Sequence, residues 1–311
     1  MISAHQPVMV DEAITYLITI PDGIYVDGTL GTGGHSLEIC KNLGPKGGLI
    51  CIDVDRASIG LAEQRLSPYR DRIRIVRESY VDLDKVLQHT GIDKVNGILL
   101  DLGLSSYQLE SSGRGFSFLK DEPLDMRMDQ DKGITASELI NTVSMGGLEE
   151  FLWTYAQERW AKSIARAIEG ERRKGPIRTT RQVARLIEKT IPLRHHPRKI
   201  HPATKTFQAL RIAVNRELQN IADFLEKAPL LLVTGGRLVV ISYHSLEDKL
   251  VKQAFRQQRG DTRYPRKLPT PPESGPFLMK ALTKKGLRPS QAEVNANPRS
   301  RSAIMRVGER I

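Results

Sequence analysis

The chain has 311 residues, 40% of them hydrophobic and 27% charged, with a formal net charge of +11 at pH 7. That composition supports a sizeable core, exceeds one average domain, and differs from that of disordered or disulfide-stapled chains. The opening residues lack a basic stretch leading into an apolar run, and no later segment is long enough to span a bilayer, so a cytoplasmic protein is expected.

Apolar runs bounded by turn residues alternate with helical patterns through the first hundred residues. GIYVDGTL at 23–30 predicts a buried strand, followed by a helix over 34–44 that Gly44-Pro45 ends. GLICIDVD at 48–55 predicts a second strand with a helix near 57–66, and RIRIV at 72–76 a third with a helix near 81–89. GILLDLG at 97–103 predicts a fourth. Nearly continuous apolar strands alternating with helices imply a parallel sheet covered on both faces. The next strand of this kind, GGRLVVISYH at 235–244, comes more than a hundred residues later.

The intervening sequence has helical periodicity over 148–168, 180–190 and 202–228, each with an apolar stripe. The expected organisation is therefore a sheet domain in two parts, 1–108 and 215–311, with an all-helical insertion over 109–214. SAIMRVGER at 302–310 predicts the last strand, at the sheet edge, and the Pro-, Gly- and base-rich stretch 259–292 a long loop.

DGTLGTGGH follows the first strand and opens a helix. Gly28, Gly31, Gly33 and Gly34 let the backbone turn tightly and approach a ligand, as in many nucleotide sites. Asp53 ends the second strand about twenty residues further on, where a carboxylate accepts ribose hydroxyls. Asp27 and Asp101 end the first and fourth strands, and make the crevice negative. A pyrophosphate is repelled there; the ammonium and sulfonium of S-adenosylmethionine are attracted. Tyr80, past the third strand, either stacks on the adenine or serves as a core aromatic.

Charge is unevenly spread. Residues 158–216 hold 16 Lys and Arg against 4 Asp and Glu, and residues 251–311 hold 14 against 4, leaving the rest of the chain at −11. Two basic segments on an acidic body suit a polyanionic partner. His195, His196 and His201 lie among cations without a nearby cysteine, which speaks against a metal site. Cys40 and Cys51 are placed like reduced core thiols, and this disfavours carbon methylation through a cysteine nucleophile. Ser242, His244 and Ser245, after the fifth strand, are candidates to line a base pocket, although SLED also reads as a helix start. Arg299 and Arg301 are candidate phosphate contacts.

DGTLGTGGHS, ILLDLGLSSYQL, RGFSF with PLDMRMD, HPATKTFQALRIAVNREL, GGRLVVISYHSLEDK and NPRSRSA together resemble the RsmH (MraW) family, in matching order over residues 5–310. The resemblance implies a class I, Rossmann-like methyltransferase sheet with an inserted helical domain that recognises RNA. It implies S-adenosylmethionine as donor, with S-adenosylhomocysteine as product, and contacts at Gly33, Gly34, His35, Asp53, Tyr80, Asp101 and Gln108. The substrate it implies is N4 of a cytosine in 16S rRNA, at the decoding centre of the small ribosomal subunit. Tyr107 and Gln157 replace a common Pro and Glu of the family. A loop holding Asp101, Ser105 and Ser106 is then expected to orient the amine, with helix capping as the alternative role for each serine. Another RNA or protein substrate, and a non-catalytic RNA-binding assembly role, remain the competing readings; a nicotinamide dehydrogenase is disfavoured by Asp27 and Asp101.

Overall fold

The computed structural model describes residues 7–197, 200–257 and 278–311. The chain divides into two compact units, one of Met1–Gly103 with Leu218–Ile311 and one of Leu104–Glu217. The insertion thus starts at Leu104, five residues before the expected 109, and ends three after the expected 214.

In the first unit, seven strands form one sheet among the described residues: β1 (Ile24–Asp27), β2 (Gly48–Asp53), β3 (Ile73–Arg77), β4 (Val95–Asp101), β5 (Leu232–Ser242), β6 (Met279–Ala281) and β7 (Ile304–Arg310). Their order is β3-β2-β1-β4-β5-β7-β6; the pairs from β3 through β5 are parallel, and β7 runs antiparallel to both β5 and β6. This is the Rossmann-like α/β sheet expected of a class I methyltransferase. Two expectations need correcting here. The last strand is not the edge, because Met279–Ala281 pairs outside it. Part of the stretch read as loop is therefore a strand, with helix Gln291–Ala296 after it; residues 259–277 of that stretch lie outside the described residues.

Strand side chains alternate between two cores, as the pleat requires. Tyr25, Leu49, Cys51, Leu99, Val239 and Ile241 join one. Val26, Ile50, Ile52, Ile98, Leu100, Leu238 and Val240 join the other. Both faces being covered explains why β2 and β4 are apolar at successive positions. The strand order reverses between β1 and β4, so the crevice at their C-terminal ends is where such a sheet binds ligands.

The second unit is helical around its own core, which includes Leu148, Leu152, Ile164, Ile168, Val183, Ile187, Phe207 and Leu210. Two of the expected long helices are each broken in two. Met145–Ala156 and Ala161–Arg172 are separated at Gln157, whose φ of 47° is left-handed. Thr204–Asn215 and Glu217–Lys227 are separated at Arg216, φ 52°. Apolar periodicity continues through both breaks, and it hid them from the sequence. No helix among the described residues is long and apolar enough to cross a membrane.

Candidate methyl-donor site

The glycine loop runs from the end of β1 into helix Gly34–Asn42. Gly31 (φ 50°) and Gly33 (φ 80°) occupy the left-handed region, which fits the glycines there. A Cβ at Gly28 would come within 2.5 Å of the Leu100 side chain and 3.2 Å of Tyr80 Cβ, so only glycine leaves room there. The loop is tied to the strands around it. Gly28 N–H donates to the Leu99 carbonyl (2.9 Å) and Leu30 N–H to that of Ile52 (2.9 Å). Thr29 Oγ1 accepts from Asp101 N–H at 2.7 Å.

Three carboxylates end adjacent strands around this loop. Asp27 is 1% exposed; it accepts from Ser36 Oγ at 2.6 Å and from Thr29 N–H at 3.1 Å. Its oxygens thus stabilise the loop from beneath, and its carboxylate adds negative charge to the crevice. Asp53 accepts from Gly31 N–H (2.7 Å) and Asp55 N–H (2.8 Å). Asp101 accepts from the Tyr243 hydroxyl at 2.8 Å, and its other oxygen lies 3.4 Å from His35 Nδ1. His35 is buried with Nε2 against the Val8 carbonyl at 2.9 Å, so Nε2 carries the proton of that bond.

Burial raises the carboxyl pKa of all three: Asp27 and Asp101 above the ordinary range, and Asp53 to about 6. Hydrogen bonds and His35 oppose the rise only in part. Each raised value marks a negative charge that the fold destabilises and that a bound cation would relieve.

The expected donor residues Gly33, Gly34, His35, Asp53, Tyr80 and Asp101 all belong to the sheet unit, at or beside this loop. Tyr80 is half-buried, and its ring meets Phe224 edge-on at 5.5 Å, so a core role is realised. Ser105, Ser106 and Gln108 fall in the other unit. Ser105 caps helix Ser106–Glu110 in a reciprocal box: its Oγ accepts from Gln108 N–H at 3.2 Å, and Gln108 Oε1 accepts from Ser105 N–H at 3.0 Å. Ser105 therefore has the capping role that was its alternative, and the box orients the Gln108 side chain.

The remaining candidates are scattered. Ser242 is buried and donates to the Ile304 carbonyl. His244 is half-buried beside Glu247: its Nδ1 accepts from Glu247 N–H at 3.4 Å, while Nε2, 3.0 Å from Glu247 Oε1, forms no hydrogen bond among the described residues. Arg299 and Arg301 are exposed on the short helix Pro298–Ser302. The three histidines read as non-ligands have separate environments: His196 bonds the Ile191 carbonyl, His201 pairs with Glu188, and His195 packs on Trp160. Sequence reasoning missed Tyr243. Its register was the available signal: Ile241 on β5 pairs with Asp101, and Tyr243 lies two residues on, pointing to the same side.

A family model described as the MraW methylase family matches residues 2–311. The chain belongs to that family. Relatives named ribosomal RNA small subunit methyltransferase H agree with it almost end to end. That of Geotalea uraniireducens is 46% identical over 99% of this chain and 98% of its own length. Those of Syntrophobacter fumaroxidans (43%, over 98% and 96%) and Syntrophus aciditrophicus (45%, over 99% and 98%) are similar. This member of the MraW methylase family is an S-adenosylmethionine-dependent methyltransferase. Its residues fit that donor: left-handed glycines shape the loop, and three carboxylates, Asp27 buried and Asp53 and Asp101 half-buried, surround it with negative charge that burial destabilises and a cation would relieve.

Proposed function

We propose that the chain methylates the exocyclic N4 of a cytosine in 16S rRNA at the decoding centre of the small ribosomal subunit. The observation that carries the chemistry is the acidic crevice of Asp27, Asp53 and Asp101 around the glycine loop. The donor supplies an electrophilic methyl on a sulfonium. The chain's own groups bind and orient: Asp53 accepts the ribose hydroxyls, and Gly33 and Gly34 admit the donor's amino acid end.

A cytosine amine is a weak nucleophile because its lone pair is delocalised into the ring. Asp101 accepts one of its N–H bonds, so the lone pair localises and aims at the methyl carbon. As the N–C bond forms, the C–S electron pair stays on sulfur, and the surplus amine proton goes to the Asp101 carboxylate. Burial raises the basicity of that carboxylate, and Tyr243 fixes its direction. Cys40 and Cys51 are buried, and burial pushes the Cys40 thiol up to about 11 and that of Cys51 well above its usual range. Neither supplies the thiolate that C5 methylation needs.

The relatives' shared name and the two basic segments support rRNA as substrate. The insertion, with 16 Lys and Arg against 4 Asp and Glu over 158–216, is the RNA-recognising unit in this reading. Incubation of the protein and labelled donor with unmethylated small subunits, large subunits and free cytidine tests it. Label confined to small-subunit RNA is expected; label in protein, or in large subunits, refutes it.

A further inference from the structure

Away from the donor loop, the sheet unit has a cleft of about 490 Å³, within the size range of ligand sites. Helix Ser245–Gln257 supplies Lys252 and Arg256 to its wall, the segment after β6 supplies Lys284, Lys285 and Arg288, and β7 supplies Arg306. Its acidic member, Asp248, is fully engaged with Arg306, which donates to both carboxylate oxygens at 2.6 and 3.0 Å. That pair is a fixed, neutral floor. The side chains of the other five cations are exposed, and none makes a hydrogen bond or ion pair among the described residues.

The basic loop of this cleft is rigidly mounted. Leu282 N–H donates to the Val307 carbonyl at 2.9 Å, and Thr283 Oγ1 accepts from Val307 N–H at 3.0 Å. Beyond the loop, Leu287 and Met305 exchange both backbone bonds at 2.9 Å. Lys284, Lys285 and Gly286 are therefore held alongside β7 between two anchored points. Gly286 lies so close to β7 that a Cβ there would come within 2.3 Å of the Ile304 side chain. Holding like charges together unpaired on a pinned loop opposes folding, which an anionic ligand would offset.

The sheet register fixes where this cleft lies. Asp101 pairs with Ile241, Ile241 with Met305, and Ser242 with Ile304. Ile304 and Arg306 thus stand at the same end of the sheet as the donor crevice, two strands from β4. At about 4.8 Å per strand, the lateral offset is about 10 Å. That suits a few phosphates of the strand that delivers its base to Asp101.

We propose that this cleft holds consecutive phosphodiester groups of the substrate RNA flanking the target nucleotide. The proposal rests on the rRNA reading above. Phosphate binding here is non-specific in sequence; it sets register and affinity, while the base is chosen elsewhere.

The test compares the full-length protein with the Lys284→Ala/Lys285→Ala/Arg288→Ala triple variant, and with Lys252→Ala/Arg256→Ala as a second variant on a different element. Donor affinity by calorimetry, KM for unmethylated small subunits, and binding to deproteinised 16S rRNA at several salt concentrations are measured. A phosphate contact contributes a salt slope of about 0.7, so three contribute about 2, or about fiftyfold in affinity near 0.15 M salt. The triple variant should lose that slope and raise the subunit KM by a similar factor, with donor affinity unchanged. The double variant should lose a slope of about 1.4. Unchanged slopes and KM in both, with the wild type active, overturn the proposal and leave the function standing. Weaker binding to whole subunits with undiminished binding to bare rRNA also overturns it, because a ribosomal protein is then the partner. A wild type that transfers no methyl to subunits refutes the rRNA reading itself.

Discussion

Replacing Asp53 by Asn tests the acidic crevice most sharply. In the protein without donor, burial raises the Asp53 carboxyl from 3.8 to about 6, and Asp55 and Asp27 add to the rise. Because the value is raised, the ionised form is penalised in the fold, and this residue's contribution to stability declines as pH climbs from about 3.8 to 6. Donor binding runs the opposite way. Ribose hydroxyls need the ionised acceptor, so affinity is greatest above pH 6 and falls about tenfold per unit below it. If the bound state restores an ordinary value, the fall totals about a hundredfold. Asp53→Asn removes the titrating group, and its amide cannot accept from both Gly31 N–H and Asp55 N–H as the carboxylate does. Each charged hydrogen bond lost to the ribose weakens binding by about 1.5–3 kcal/mol. Calorimetric titration with S-adenosylmethionine between pH 5 and 8 reads both effects. The variant should bind at least about tenfold more weakly at pH 7.5 and show a flat profile over the range where the wild type is steep. A variant that keeps the wild-type slope would show that another group titrates, and the assignment of Asp53 would be wrong.

Other perturbations separate positioning from packing. Tyr243→Phe removes the hydroxyl that donates to Asp101 and helps hold its carboxyl pKa down, so the acid limb of the kcat profile should move to higher pH and kcat should fall about tenfold; an unmoved limb contradicts the role given to Tyr243. Ser105→Ala should lower thermal stability by about 1 kcal/mol through loss of the cap while kcat stays within a few-fold, and a collapse of kcat at full stability would restore the serine to the chemistry. Asn215→Ala should destabilise the helical unit by about 2–4 kcal/mol in denaturant unfolding, because Asn215 accepts from Met128 N–H and donates to the Met126 and Arg211 carbonyls; a value below 1 kcal/mol would mean that water replaces it.

The sheet was legible because both faces of its central strands are buried, so Ile50–Ile52 and Ile98–Leu100 read as continuous apolar runs. The carboxylates that close the donor crevice were legible because each ends a strand. Register carried the rest. The hydroxyl of Tyr243 reaches Asp101 only once β5 is aligned with β4, and nothing local to Tyr243 announces it. β6 was hidden because a three-residue strand beside a base-rich stretch carries too little pattern. The PLDMRMD segment, one of the blocks that carry the family resemblance, has a physical reason in the structure: Met126 is buried at φ 60°, Arg127 is paired to Asp125, and Asn215 satisfies the backbone on both sides. Its distinctive sequence thus reflects a strained turn inside the helical unit.

The position of the methyl group on the product nucleoside tests the central claim most directly. Unmethylated small subunits are incubated with the protein and isotopically labelled S-adenosylmethionine, their RNA is digested, and methylated nucleosides are resolved by mass spectrometry. An amine oriented by Asp101, with Cys40 and Cys51 buried as thiols, predicts the label in N4-methylcytidine. Label in 5-methylcytidine would contradict the account, since it demands a thiolate that this site does not provide.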